Sequence, residues 1–523
     1  MTGARYMRAE RHAPEGKLYR RHVALIDVDE GQGAKPLTPA QLKPDFKLDP
    51  KAVTPNSYVF DVVRVAGGKA HTYCFHGPVD HEMKTNLPQT VAWEQMAEQD
   101  KKFLGEFRKT KRSFAGDAPD VLQADWVLLR VGPGSEQNLA PAIYNPESPR
   151  KITRLHVLGQ NGARVLSGWL DCYQWKYGFT NLYVQRRSAA EQESVFSAII
   201  EPYVGEPFIV ERRLLDVPDN EQDARRAVAV EIKTKNGHTD ICFADGRPEK
   251  VRKVGPVEVA GEFAFYSVDA DGVRLASITG GTRLATPEVI LRPSTTDRSG
   301  KIVKAEPNAK TMLLDTAWPA GLLAGRTFEV GQPEHWTTYT IRDVKPAQNG
   351  CSLIVEGGAD YYRSRVLEVD ANTGTVQCGI ALPGKGLGLD KGWVASNEGR
   401  TKFWRAEYLG GSRDEARYGF KLTGAPVTQD DFGPNGALCL WEYGEGDVVR
   451  QTTFASLRRI EPNVFQLEAD VDVSVGLKAA ALEISTDRKT WAPAPTAKEG
   501  DWLVAKLDAA RLSSGPVFLR VAK

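Results

Sequence analysis

Short segments rich in Val, Ile, Leu, Tyr, Phe and Trp recur through most of this chain, several alternating apolar with polar and divided by Gly, Asn, Asp and Pro turns. A period of two with such punctuation is the mark of strands packed on one face, and it leaves little room for any class but all-β. Residues 18–29, 57–65, 71–76, 125–131, 154–159, 164–171, 181–187, 195–203 and 208–217 read this way, nine strands before residue 220. Hairpins follow at 228–243 around Lys235-Asn236-Gly237-His238, at 263–278 around Asp269-Ala270-Asp271-Gly272, and at 366–380 around Asn372-Thr373-Gly374. Their turn residues tolerate positive φ, so meandering antiparallel sheets are expected. Only 90–109 reads as a helix, with Val91, Trp93, Met96, Ala97, Phe103, Leu104 and Phe107 at three- and four-residue spacing.

A length of 523 residues suggests roughly three or four folding units. Polar, turn-rich stretches at 292–308 and 425–436 place the expected boundaries near 305 and 440. The expected architecture is a large two-layered antiparallel sheet domain over 1–305, a small β domain over 306–440 and a small C-terminal sandwich over 441–523. Residues 30–55 and 132–149 read as long loops, and no repeat of 20 to 50 residues is visible.

Lys and Arg total 68 against 67 Asp and Glu, so no excess of positive charge exists to neutralise a nucleic acid or an anionic membrane. No apolar run approaches the roughly 18 to 20 residues of a spanning helix. The segment Met1 to His12 lacks the apolar core of a secretory signal, so the chain as written is expected in the cytoplasm. Six widely spaced cysteines (Cys74, Cys172, Cys242, Cys351, Cys378, Cys439) form no C-x-x-C pair and are expected as buried free thiols.

Chemical motifs are sparse. Gly379 to Gly388 is glycine-rich, but Leu389-Asp390-Lys391-Gly392-Trp393 is no helix start, so it reads as a loop between strands and not as a phosphate cradle. There is no G-x-S-x-G elbow. The eight histidines include no H-x-H and no H-E-x-x-H, so no metal ligands are assigned. In His71-Thr72-Tyr73-Cys74-Phe75-His76-Gly77 the two histidines, five apart on a strand, point to opposite faces. His76 falls at the strand end, where a side chain either reaches a cleft or is simply hydrogen-bonded. The stretch Trp169 to Arg187 interleaves aromatic and basic residues, which suits either sugar stacking with acidic substituents on Lys176, Arg186 and Arg187 or ordinary cross-strand packing.

Taken in order, Tyr19-Arg20-Arg21-His22-Val23-Ala24-Leu25-Ile26-Asp27-Val28, the 58–68 and 71–77 segments, Thr153 to Gly159, Tyr183 to Arg187, Ser194 to Tyr203 and Pro207 to Glu211 resemble the C-terminal β-sheet region of bacterial heparinase II/III-like polysaccharide lyases. The resemblance covers residues 18–290 well and the remainder by type only. It implies a partner α/α toroid, as a domain or subunit, and an acidic, uronate-containing polysaccharide such as alginate, heparan sulfate, chondroitin or ulvan, cleaved by β-elimination. The family's catalytic Asn or Arg, His and Tyr, and its zinc-supporting His-x-His-Phe/Tyr-Asp and His-Asn-Thr motifs, are not in this sequence. No catalytic residue and no cofactor is therefore assigned, and the chain alone is expected to be inactive or nearly so. The resemblance leaves His76, His71 and Tyr73 as candidate substrate contacts; Arg64, Tyr19, Arg20 and Arg21 match as well but suit structural roles. As part of a full-length lyase the chain would be periplasmic or secreted. The alternative is a free-standing, non-catalytic carbohydrate-binding or scaffolding β protein.

Overall fold

The computed structural model describes residues 4–11, 17–28, 57–78, 81–105, 113–128, 151–172, 177–306, 309–332, 335–356, 361–382 and 392–522. The fold is all-β, built of antiparallel sheets. Contacts part the chain into two units: Met1–Leu291 with Ser456–Pro462, and Arg292–Ala455 with Asn463–Lys523. Among the described residues no helix is long and apolar enough to cross a membrane. The long loops expected at 30–55 and 132–149 lie outside the described residues.

The first unit holds β1 (Ala4–Arg11), β2 (Leu18–Asp27), β3 (Ser57–Ala66), β4 (Ala70–His76), β5 (His81–Thr85), β6 (Val91–Ala92), α1 (Glu98–Leu104), β7 (Phe114–Asp117), β8 (Val121–Leu128) and β9 (Lys151–Leu158). It continues with β10 (Arg164–Cys172), β11 (Tyr177–Arg187), β12 (Glu193–Val204), β13 (Ile209–Leu214), β14 (Val228–Thr234), β15 (Thr239–Ala244), β16 (Arg252–Val254), β17 (Val257–Asp269) and β18 (Gly272–Ala285). Sheet A has the order β1-β2-β3-β12-β9-β8-β5, sheet B the order β4-β11-β10-β7-β6, and sheet C, within this unit, β13-β14-β15-β17-β18.

Sheet A lies between the other two, and β3 shows why its sequence suits that place. Tyr58, Phe60 and Val62 point to sheet C, packing with Val230, Ile232, Phe263 and Phe265. The alternate residues Val63 and Val65 point to sheet B, packing with Tyr73, Val165, Leu182 and Val184. A strand covered on both faces reads as a nearly continuous apolar run, and each fully buried side chain of this size contributes roughly 1.5–3 kcal/mol.

The helix expected over 90–109 is shorter. Val91 and Ala92 pair with Ala115 and Phe114 as β6, a 3-10 turn covers Trp93–Gln95, and α1 begins only at Glu98, after Ala97 in an extended conformation. It stops at Gly105, whose φ is 75°. The helical spacing is nonetheless used, because Trp93, Met96 and Leu104 cover Leu166 and Tyr183 on sheet B. Buried Asp100 fastens α1 to the sheet by accepting from Arg164 Nε at 2.9 Å and Arg187 Nη1 at 3.1 Å.

The second unit follows β19 (Val289–Pro293) and contains two closed six-stranded barrels. The first uses β20 (Asp297–Glu306), β21 (Thr311–Leu314), β22 (Thr327–Gln332), β23 (His335–Ala347) and β24 (Gly350–Glu356). The second, inserted next in the chain, uses β25 (Tyr362–Asp370), β26 (Thr375–Cys378), β27 (Trp393–Asn397), β28 (Phe403–Ser412), β29 (Arg417–Thr423) and β30 (Ala437–Trp441); β31 (Val448–Thr452) then closes the first. Strand order matches: β20-β21-β24-β23-β22-β31 against β25-β26-β29-β28-β27-β30. The register shifts match too, between Ile302 and Lys304 opposite β21 and between Val366 and Glu368 opposite β26. Core residues Met312, Leu314, Trp318 and Val376, Cys378, Leu382 recur 64 positions apart, so the barrels are two copies of one design. After them, strands Val464–Ala469, Ala481–Ser485 and Val517–Ala522 pair in the C-terminal part of this unit.

Gly77 packs flat on Trp126, since a Cβ there would lie 2.1 Å from the indole Cδ1. Gly77→Ala is expected to lower stability by about 1–3 kcal/mol in urea titration, whereas Gly379→Ala, whose Cβ meets nothing within 4 Å, should change little.

Candidate functional site

The three sequence candidates share β4, and the pleat divides them. His71 and Tyr73 turn inward between sheets A and B, while Thr72, Cys74 and His76 face out. His71 is buried with both ring nitrogens engaged: Nε2 lies 2.7 Å from the Gly67 carbonyl and Nδ1 2.9 Å from Ser194 Oγ. A carbonyl only accepts, so Nε2 carries the proton and Nδ1 accepts from the serine hydroxyl. Tyr73 is buried and donates to Asp61 Oδ2 at 2.9 Å. His76 is exposed, its Nδ1 3.0 Å from the Gly77 carbonyl and its ring 5.3 Å from that of Phe179. Asn181 lies opposite it on β11. One half-buried residue of the aromatic stretch, Phe179, thus meets His76, while residues 173–176 of that stretch lie outside the described residues.

Of the cysteines, Cys242, Cys351, Cys378 and Cys439 are buried, and the side chain of Cys172 is outside the described set. Cys74 corrects the expectation of burial: it is exposed because it occupies an outward position of β4.

A more open arrangement lies where sheet B ends. β4 is its edge strand, and β1 and β2 of sheet A continue past it. Tyr19, Arg21, Val23 and Leu25 share that face of β2, and Met7 lies opposite Val23. Met7, Tyr19 and Leu25 are 46%, 49% and 36% exposed, large values for apolar groups on a sheet whose neighbouring strands are covered. At the inner corner Arg21 donates from Nε and Nη2 to the two carboxylate oxygens of buried Asp61, at 2.8 and 2.7 Å. The Asp61 carboxylate raises the pKa of Arg21, and burial followed by Asp61 pushes the Tyr73 hydroxyl well above its usual value. Tyr73 therefore stays protonated as a donor, and the guanidinium keeps the rest of its five N–H groups beyond those given to Asp61. An aromatic ring and a guanidinium two residues apart on one open face can stack a sugar ring and bind an acidic substituent.

The opposite face of sheet A carries polar groups that are structural. Arg64, fully buried, donates from Nε to His22 Nε2 at 3.1 Å, from Nη1 to the Ala224 carbonyl at 3.1 Å and from Nη2 to the Ala244 carbonyl at 3.0 Å. Because His22 Nε2 accepts, Nδ1 bears the proton and donates to the Tyr6 hydroxyl at 2.7 Å. Burial brings Arg64 down to about 10, and burial reinforced by Arg64 holds the His22 pKa well below the ordinary value. Farther along, His156 lies 3.3 Å from Glu201, whose other oxygen accepts from the amides of Phe208 and Ile209 at 2.7 and 2.8 Å. Burial lowers the His156 pKa as well. Sequence reasoning did not single out His22, Asp61, His156 or Glu201. The only signal was a polar residue inside an apolar run, as with Asp61 and Arg64 in β3.

The zinc-supporting motifs of the resembled family have no counterpart in the sequence, and no group of three His, Cys, Asp or Glu among the described residues is placed to hold a metal. No protein-family model matches this sequence, and no curated protein is significantly similar to it.

Tyr73→Phe should cost about 1 kcal/mol in urea titration while the fold persists, and Asp61→Asn more, because it also strips Arg21 of its partner. Since the folded-state pKa of His22 and His156 is depressed, the unfolded chain takes up protons first as pH falls below about 6.5, and stability is lost in that direction, at up to roughly 1.4 kcal/mol per pH unit for each histidine. Urea midpoints between pH 8 and 5.5 should fall accordingly, and less steeply in His22→Gln; equal slopes would refute the assignment.

Proposed function

We propose that this chain is the β-sheet portion of a heparinase II/III-like polysaccharide lyase, and that the ledge formed by β1, β2 and the edge strand β4 faces an acidic, uronate-containing polysaccharide. The observation that carries the reading is the uncovered strip on β1 and β2. Half-exposed Arg21 stands beside exposed Tyr19, with Met7 and Leu25 leaving apolar surface open next to them. Apolar side chains left on one strip of an otherwise covered sheet mark a face used by something else.

The elimination would be completed by a toroid. Removal of the C5 proton by a base, breakage of the C4–O4 bond and protonation of the departing oxygen leave a C4–C5 double bond, and the carboxylate must be neutralised throughout. The ledge supplies a cation and a stacking surface for that substrate, and no base. His76 and Phe179 offer a second sugar contact on the outer face of sheet B.

The second reading is a free-standing carbohydrate-binding protein. It is favoured by the charge balance of Arg21 and Asp61, which lets the ledge stand in water without a partner.

Incubated with alginate, heparan sulfate, chondroitin or ulvan, the chain alone is expected to release no ultraviolet-absorbing unsaturated uronate, yet to be retarded by at least one of these polymers in affinity electrophoresis. Tyr19→Ala should abolish the retardation. Absence of retardation by all four would sink the polysaccharide reading. Dye binding and self-association of the purified chain would favour the lyase portion, and a monodisperse, dye-silent chain the free-standing module.

A further inference from the structure

A cleft of about 480 Å³ opens in the first unit between the end of β9 and the segment that links β13 to β14. Its polar lining is Gln160 just past β9, Ser197 on β12, and Asp216, Asp219, Asn220, Gln222 and Arg226 from the linking segment. That volume lies in the range of small-molecule sites. Its walls are fixed before any ligand arrives. Gln160 is buried and donates to the carbonyls of Leu158 and Val195 at 3.3 and 3.0 Å. Asn220 closes its loop on Ala227, donating to the carbonyl and accepting from the amide, both at 2.8 Å. The Arg64 guanidinium holds the carbonyls of Ala224 and Arg226 from behind.

Arg226 lines this wall, and Arg186 stands behind it, its Nη2 donating to the Gly159 carbonyl at 3.3 Å. Arg186 donates from Nε to Gln160 Oε1 at 2.8 Å, and Arg226 donates from Nη1 to the Asp223 carbonyl at 3.2 Å. Neither forms an ion pair among the described residues. The carboxylates that Arg226 feels are engaged elsewhere: Asp223 accepts from Arg247 and Glu193 from the amide of Ala224. Burial, and after it the charge of Arg186, lowers the pKa of Arg226. A guanidinium without a carboxylate partner that lines a preformed cleft, with a second positive charge behind it, favours an anion in the cleft. Asp216 and Asp219 in the same lining provide acceptors for hydroxyl groups, which a bare inorganic anion lacks.

We propose that this cleft binds one acidic sugar unit, its carboxylate or sulfate held by Arg226 and its hydroxyls by Asp216, Asp219 and Gln222. The inference rests on the acidic-polysaccharide reading for its ligand class and adds a site separate from the ledge in sequence and composition.

The test is isothermal titration of the full chain with glucuronate, glucose and sodium sulfate, repeated with Arg226→Gln and with Gln222→Ala. Glucuronate is expected to bind saturably, and at least about tenfold more tightly than glucose or sulfate. Arg226→Gln should weaken it about tenfold or more. The folding clamp uses the Arg226 carbonyl, which this substitution keeps; should it nonetheless unfold the chain, Gln222→Ala must weaken glucuronate binding on its own. Equal affinity for glucuronate and glucose, sulfate binding as tight as glucuronate, or no effect of either variant would overturn the site. Polymer retardation lost in Tyr19→Ala but intact in Arg226→Gln, together with no glucuronate binding, removes the cleft and leaves the ledge. Glucuronate bound by the cleft with no retardation by any polymer removes the ledge and leaves the cleft.

Discussion

The structure of the first unit depends on a middle sheet whose central strands are dry on both sides. Such strands cannot hold a polar residue unless a neighbouring strand or the layer facing them supplies the partner. β3 carries two of them on opposite faces, and each ties a different pair of sheets. Asp61 binds Arg21 within sheet A and Tyr73 of sheet B. Arg64 reaches carbonyls at Ala224 and Ala244, on the sheet C side, and also donates to His22. Apolar packing holds the layers together, and these two residues select the alignment in which both of them find their partners.

The same two residues place the surfaces that bear on function. Asp61 positions Arg21 and Tyr73 at the corner where sheet B stops, and that corner is where apolar and aromatic side chains remain open. Arg64 fastens the 224–226 turn, and that turn forms part of the cleft wall carrying Arg226. The two candidate surfaces are rims of two buried polar clusters on opposite faces of β3, with rigid strands behind them, which is the arrangement that keeps a binding geometry fixed.

Much of the fold was legible because a period of two is a local property. The strands at 57–65, 71–76 and 195–203 and the hairpins at Gly237, Gly272 and Gly374 lie where the alternation and turn residues put them. Parity alone separated His71 from His76, and the structure has one inward and the other outward. What a local pattern does not carry is which strand pairs with which. The 90–109 periodicity looked helical since nothing in it announced that Val91 and Ala92 would be taken by β7. The duplicated barrels were invisible because their copies share spacing and apolar character but few identical residues, as in Met312-Leu313-Leu314 against Val376-Gln377-Cys378. The partners of Arg21 and Arg226 are likewise matters of tertiary contact; sequence could mark those residues only as arginines in or near strands.

The most direct measurement is hydroxyl-radical footprinting of the chain with and without oligosaccharides of alginate and heparan sulfate, with dextran as the neutral control. The account predicts that Met7 and Tyr19 are readily oxidised in the free chain and that an acidic oligosaccharide, but not dextran, protects Tyr19. Oxidation of Tyr19 that is unchanged by every acidic oligosaccharide, or reduced equally by dextran, would contradict the ledge as the face that meets an acidic polysaccharide.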